Sequence, residues 1–230
     1  MTLPCLISLP HAGTKIPDEV LASNLLSLEQ IVKDGDEGAA QIYRLDECVE
    51  ALVTTDIARA FVDMNRAIDD FRDDGVVKTM TCWMEPIYTQ ALQRSIAQKL
   101  LARYYCTYHS ALEEAYTGDI VLGIDCHTLA AFGPPVGPDP DRRRPMVCLG
   151  DGNGKTLPDK WMDALADYFS SSFQQPTAKT IPFSGGHITR HHGRRRAWVQ
   201  VEISRCPSLT WEEKSVRVQD ALESFLRWLR

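Results

Sequence analysis

Residues Gly118 to Pro135 read GDIVLGIDCHTLAAFGPP, an apolar run that climbs into Asp125-Cys126-His127 and then breaks into glycine and proline. Continuous apolar runs of this length suit strands of a parallel sheet, which helices cover on both faces. An acid and a histidine are costly in a dry core, so they mark where the strand reaches polar surroundings. The two-residue period of a strand turns Asp125 and His127 to the same side. Ligands of open α/β sheets collect beyond the carboxyl ends of the strands.

The same alternation of short apolar runs and longer amphipathic stretches extends outward from this segment. Strands are expected at Cys5–Leu9, Leu52–Thr55, Val76–Thr79, Ile120–Asp125, Met146–Gly150, Ala178–Pro182 and Trp198–Ile203. Helices are expected at Asp36–Val49, Thr89–Thr117, Pro158–Phe173 and Thr210–Leu229. Leu92, Ile96, Leu100, Tyr104, Tyr108 and Leu112 form a core-facing stripe in the second helix. Thr210 followed by Glu213 is a capping-box start for the last. Strands separated by helices predict a three-layer α/β/α fold with a mixed, mostly parallel central sheet. The alternation Val199-Gln200-Val201-Glu202-Ile203 predicts one wetter face on the final strand. Ala130–Pro145, rich in Gly, Pro, Asp and Arg, reads as the one long loop. A chain of 230 residues without a clear internal boundary is expected to form one domain, residues 1–230.

Bulk chemistry narrows the function classes. A net charge of -6 argues against a general nucleic-acid-binding role, which wants a basic surface. The basic triplets Arg142–Arg144 and Arg194–Arg196 read as solvated loops. Seven cysteines without a CxxC pair fit a reducing compartment, and no segment is long and apolar enough for a membrane span. The expected location is the cytoplasm.

His11 closes the first strand run, His127 follows the fourth, and Glu202 sits on the last. Parallel strands bring such ends together, and two imidazoles with a carboxylate suit zinc in a hydrolase, a fourth position being left to water. Asp34-Gly35-Asp36-Glu37 is the nearest carboxylate source; the same acids could equally complement a helix N-terminus. The stretch TTDIARAFVDMNR, Thr54 to Arg66, offers Arg59 and the pair Asn65-Arg66, whose groups can grip a carboxylate. SGGHITRHHGRRRAWVQVEIS, Ser184 to Ser204, packs three histidines and four arginines ahead of Glu202, and also reads as a flexible basic hairpin loop. Its paired glycines permit a tight turn or a close backbone approach.

SLPHAG, DGDEGAAQIY, TDIARAFVDMNR, YHSAL, IDCHT, GGHITRHHG and VQVEISR occur in that order over roughly residues 7–205. In this order they resemble the N-formylglutamate amidohydrolase family, whose fold is similar to that of zinc carboxypeptidases and aspartoacylases. The resemblance implies a zinc (or other divalent metal) enzyme that hydrolyses an N-acyl amino acid. N-formyl-L-glutamate, giving formate and L-glutamate, is the first expectation. It carries His11 and His127 over as metal ligands, with Asp36, in the position of the family's acidic residue after the first long loop, as the third; the missing HxxE is a departure from the carboxypeptidase pattern. Glu202 becomes the general base or acid. Asp125, on the same side of the strand as His127, is expected to orient that imidazole or to lie close to the metal. Asn65 and Arg66 are expected on the substrate carboxylate, with Arg59 and His187 as further substrate or oxyanion contacts. Two rival expectations are a hydrolase of another N-acyl amino acid or peptide, and a non-catalytic protein that binds metal or a small acid.

Overall fold

The computed structural model describes residues 2–229. Six strands, β1 Leu3–Leu9, β2 Val49–Thr54, β3 Leu122–Leu129, β4 Val147–Gly150, β5 Ala178–Lys179 and β6 Trp198–Ser204, form one sheet in the order β2-β1-β3-β6-β4-β5. The β4–β6 pair is antiparallel and every other pairing is parallel. Helices α1 Leu28–Asp34, α2 Ala39–Ile42, α3 Arg94–Leu100, α4 Cys106–Ala115, α5 Asp159–Phe173, α6 His187–His192 and α7 Trp211–Trp228 complete the α/β/α sandwich.

Two cores flank the sheet. On one face Ile7, Ile124, Val199 and Val201 pack against α2, α5 and α7. On the other, Leu6 and Trp198 pack with α4, α6 and the loop around Phe61. Each fully buried Leu or Phe in these layers contributes roughly 1.5–3 kcal/mol. The first face stays apolar along the central strands as far as Cys126 on β3, beyond which comes Thr128. The second changes character along each central strand: Leu6 gives way to Ser8, Gly123 to Asp125 and His127, and Trp198 to Gln200 and Glu202. Register sets Asp125 opposite Gln200 and His127 opposite Glu202. Gly123 is required here because any side chain would run into the Trp198 indole.

Several expectations need correction. β6 is buried throughout, so its polar alternation faces a protein-enclosed site rather than solvent. Asp36–Val49 holds only the four-residue α2, after which turns lead into a β2 that starts at Val49. Val76–Thr79 is a turn segment in which Val76, Val77 and Lys78 are buried; its apolar pair packs without joining the sheet. β3 extends to Leu129, so His127 lies inside the strand. The helix expected at Thr89–Thr117 begins at Arg94 and contains a π turn at Leu101–Tyr105. Its stripe repeats every fourth residue, which drifts about 40° per step on an α-helix; the wider π turn offsets part of that drift. Two helices, α1 and α6, fall where none was expected, and α6 replaces the hairpin loop of the GGHITRHH stretch. Arg144 is likewise no solvated loop residue: it is buried, pairs with Asp139 and covers the Phe183 ring.

All seven cysteines are free. Among the described residues no helix is long and apolar enough to cross a membrane.

Candidate active site

β1 leads outward to β2 on one side while its other neighbour is β3, a topological switch point of the kind where α/β crevices form. His11 follows β1 directly, His127 lies on β3, and Asp36 arrives from the turn between α1 and α2. All three are buried, and one donor atom from each lies within 4.8 Å of the others. Asp36 Oδ2 is 2.9 Å from His127 Nδ1 and 3.5 Å from His11 Nδ1. Ligands on a tetrahedral zinc with bonds near 2.1 Å stand about 3.4 Å apart, so the spacing and the donor chemistry both fit such an ion. The backbone N–H of Thr128 steadies Asp36 at 3.3 Å. Asp34, by contrast, ends α1 rather than beginning a helix; it is buried against Lys78.

Both imidazoles are supported from behind. His11 Nε2 lies 2.8 Å from Asp63 Oδ1, and His127 Nε2 lies 3.0 Å from Asp125 Oδ2. A carboxylate on one ring nitrogen directs the other nitrogen's lone pair to a metal. Burial opposes charge on His127, yet the Asp125 and Asp36 carboxylates raise its pKa well above the ordinary histidine value. A proton there occupies the position a cation would take. Burial would likewise lift Asp63, but the charges of His11 and Arg59 hold it well below the usual carboxylate range.

Asn65 joins the same support. Its Nδ2 is 3.1 Å from Asp125 Oδ2 and 2.9 Å from His127 Nε2, while its Oδ1 accepts the Ile188 N–H at 2.8 Å. That backbone donor fixes the amide orientation, with Nδ2 turned toward Asp125 and His127. Gly186 presses so closely on this carboxamide that a Cβ would overlap it. Its neighbour Gly185 is the residue that needs glycine for conformation, with φ +110. The two glycines thus serve different ends, one space and one backbone geometry.

Glu202 faces His127 across the β3–β6 ladder and is pushed up to about 7, first by burial and then by the nearby Asp36 charge, with His127 opposing. Gln200 donates to Glu202 Oε1 at 2.6 Å and accepts the Gly186 N–H. Arg59, which lines the cavity, donates Nε to Asp63 at 3.0 Å and Nη1 to the Asp34 carbonyl at 2.7 Å. Arg66 pairs with Asp74 at 3.1 Å, its backbone held by the Tyr105 hydroxyl. His187 stacks on His191 at 5.1 Å and is lowered to about 4, mainly by burial, then by His191 and Arg194.

His11, Asp36, Arg59, Asn65, Arg66, His127, His187 and Glu202 all open onto one cavity of about 880 Å³; Asp125 lies beneath it. Asp63 and Gln200 went unassigned in the sequence. Gln200 was discoverable from its period-two relation to Glu202; Asp63 had only its place in the TDIARAFVDMNR stretch.

Fold and site together define an α/β/α protein of hydrolase type, with imidazoles and carboxylates gathered at the ends of its central strands. A model of the N-formylglutamate amidohydrolase family matches residues 3–207. The chain belongs to that family. It is 25% identical to the N-formylglutamate deformylase of Pseudomonas aeruginosa over 259 residues, covering 99% of this chain and 94% of the relative. It is 26% identical to the enzyme of that name from Pseudomonas putida, covering 83% and 75%. The crystal structure of N-formylglutamate amidohydrolase from Ralstonia eutropha superposes with a TM-score of 0.80 at 21% identity, covering 99% and 93% of the two chains.

Proposed function

We propose that the protein hydrolyses N-formyl-L-glutamate to formate and L-glutamate with the help of a divalent metal. The observation that carries this reading is the meeting of His11, Asp36 and His127 with Glu202 opposite His127, in a chain of this family.

A zinc ion held by His11, Asp36 and His127 would supply Lewis-acid polarisation of the amide carbonyl and activation of water. Glu202 takes the proton of the attacking water; a pKa near 7 suits a group that must also give the proton up. Gln200 occupies Oε1 of Glu202, so Oε2 is the oxygen left for that transfer. The same carboxyl then delivers the proton to the departing amine. Arg59 and His187 supply donors for the oxyanion, where fixed dipoles stabilise developing charge. Arg66 and Asn65 hold the α-carboxylate and fix orientation. Free thiols throughout the chain support a reducing, cytoplasmic setting.

The test is elemental analysis of the purified protein together with turnover of N-formyl-L-glutamate. His127→Ala should lose metal and activity together. Glu202→Gln should keep the metal while kcat falls by roughly 10² to 10⁴. Full activity after chelation would overturn the metal's role. Preference for N-acetyl or N-succinyl amino acids would move the reading to another acyl group. Ligand-induced stabilisation without product would make the protein a binder.

A further inference from the structure

If the substrate is an N-acyl glutamate, as proposed above, a second carboxylate must be accommodated beside the α-carboxylate. Arg59, Arg66, Arg72 and Arg144 line the cavity and each already pairs with an aspartate. Arg190, Arg194 and Arg205 also line it, and among the described residues no carboxylate lies within 4.0 Å of their guanidinium nitrogens. Unpaired guanidinium groups facing one cavity make a field that favours an anion.

Their positions separate the three. Arg205 is drawn against the Gly35 carbonyl at 3.2 Å, next to Asp36. Arg190 and Arg194 belong to α6 and the turn after it. The start of α6 is fastened to Asn65: His187 N–H meets the Asn65 carbonyl at 3.3 Å, and Ile188 N–H meets its side chain. That is the side on which Asn65 and Arg66 await the α-carboxylate. In an amino acid the side chain leaves the same carbon as the α-carboxylate, so a carboxylate held at Asn65 and Arg66 starts the side chain beside α6. Ser184 Oγ accepts from Arg190 Nη2 at 2.9 Å, which steadies the guanidinium and leaves its other donors open. The neighbouring His187 and His192 are neutral near pH 7, so the charge of this wall comes from its arginines.

We propose that Arg190 and Arg194 form the subsite for the substrate's side-chain carboxylate and set the preference for a dicarboxylic N-acyl amino acid over its amide. A planar guanidinium matches a carboxylate in two-point geometry.

The experiment compares N-formyl-L-glutamate with N-formyl-L-glutamine on the intact protein and on Arg190→Gln/Arg194→Gln. Binding of L-glutamate and L-glutamine is measured in parallel by calorimetry. Both side chains are exposed, so the double variant should fold, and its melting profile checks this. Wild type should favour the glutamate compound by about 10- to 100-fold in kcat/KM, the scale of a charge-assisted pair. In the double variant that ratio should collapse toward one, with Arg→Lys replacements keeping part of it. A charge-matched control outside the cavity, Arg142→Gln/Arg143→Gln, should keep the wild-type ratio. An unchanged ratio in the double variant, or equal L-glutamate affinity in both proteins, overturns the subsite. Absence of turnover alongside tighter L-glutamate binding by wild type overturns the hydrolase reading and supports the subsite.

Discussion

Oδ1 of Asp63 lies 2.8 Å from Nε2 of His11, on the ring edge away from Asp36. Asp125 holds His127 in the same way at 3.0 Å. Two imidazoles, one just past β1 and one on β3, therefore present Nδ1 to a common point, each oriented by its own buried carboxylate. The supports differ in what else they carry: Asp63 also receives Arg59 and the Asn65 backbone N–H, while Asp125 receives Ser8 and the Asn65 amide.

On the proposed metal reading, Asp125→Asn should weaken zinc affinity by about 10- to 100-fold, the usual cost of losing an outer carboxylate, while the protein stays folded. Asp63→Asn should weaken zinc similarly and also destabilise the fold, because Arg59 loses its buried counter-ion. Competition with a chelator gives the affinity, and urea unfolding gives the stability. Wild-type affinity in both variants would remove the carboxylates from any role at the metal.

Gly186→Ala tests the close packing under Asn65. Gly186 has φ -83, which alanine adopts without strain, so the cost lies in the overlap with the carboxamide. The substitution should displace Asn65, raise KM and lower kcat/KM by about 10-fold or more, the scale on which misplaced positioning groups act. In an Asn65→Ala background the added methyl should cost much less, a coupling that a double-mutant cycle reads directly. Additive effects would mean that the glycine serves something other than Asn65.

The central sheet and the polar ends of its strands were legible because period-two alternation survives burial. His127 with Asp125, and Glu202 with Gln200, mark out a shared face by their spacing alone. What alternation cannot say is whether that face is wet, and β6 is buried on both sides. Val76–Thr79 misled for a related reason. Two valines read as strand, whereas the next residue, Lys78, belongs to a buried ion pair that no local pattern announces. Asp63 was unreadable as a support for His11 because 52 residues separate them. The helix α1 did carry a local sign, a Ser27–Gln30 capping box, without the long apolar stripe that usually accompanies one.

Acid stability should report on the histidine cluster. His109 is lowered to about 3, and His187 and His192 to about 4, in each case first by burial and then by neighbouring groups, chiefly imidazoles. His109 donates Nε2–H to the Met64 carbonyl at 2.9 Å, which makes its Nδ1 the acceptor for His192 at 3.1 Å. Protonation would set N–H against N–H. An unfolded histidine titrates near 6.5, so between about pH 6.5 and 4 the unfolded chain binds more protons. Stability then rises with pH and falls as pH drops through that window. Glu202, pushed up to about 7, acts in the opposite sense above about pH 4.5. The comparison is therefore made in a Glu202→Gln background. There His192→Gln should flatten the slope between pH 6.5 and 4 in denaturant titrations. An identical slope with and without His192 would exclude it as a source.

The base of the site is the pair Lys78–Asp34, both side chains fully buried, with Nζ 2.7 and 2.9 Å from the two carboxylate oxygens. The Cys82 N–H adds a third bond to Asp34 at 2.8 Å. Lys78→Met keeps the volume but leaves a buried carboxylate without its counter-charge, a change that costs about 3–5 kcal/mol in such pairs. The loss should not stop at stability. The Asp34 carbonyl holds Arg59, Arg59 holds Asp63, and Asp63 holds His11, so slack at Lys78 is passed along to the imidazole proposed as a metal ligand. Adding Asp34→Leu to Lys78→Met removes the orphaned charge and should restore part of the stability, short of wild type because the Cys82 N–H then lacks an acceptor. Equilibrium urea unfolding of the single and double variants, with zinc affinity measured in parallel, separates the two effects. A loss below about 1 kcal/mol for Lys78→Met would place the pair among weak surface-like bridges and break the proposed link from core to metal.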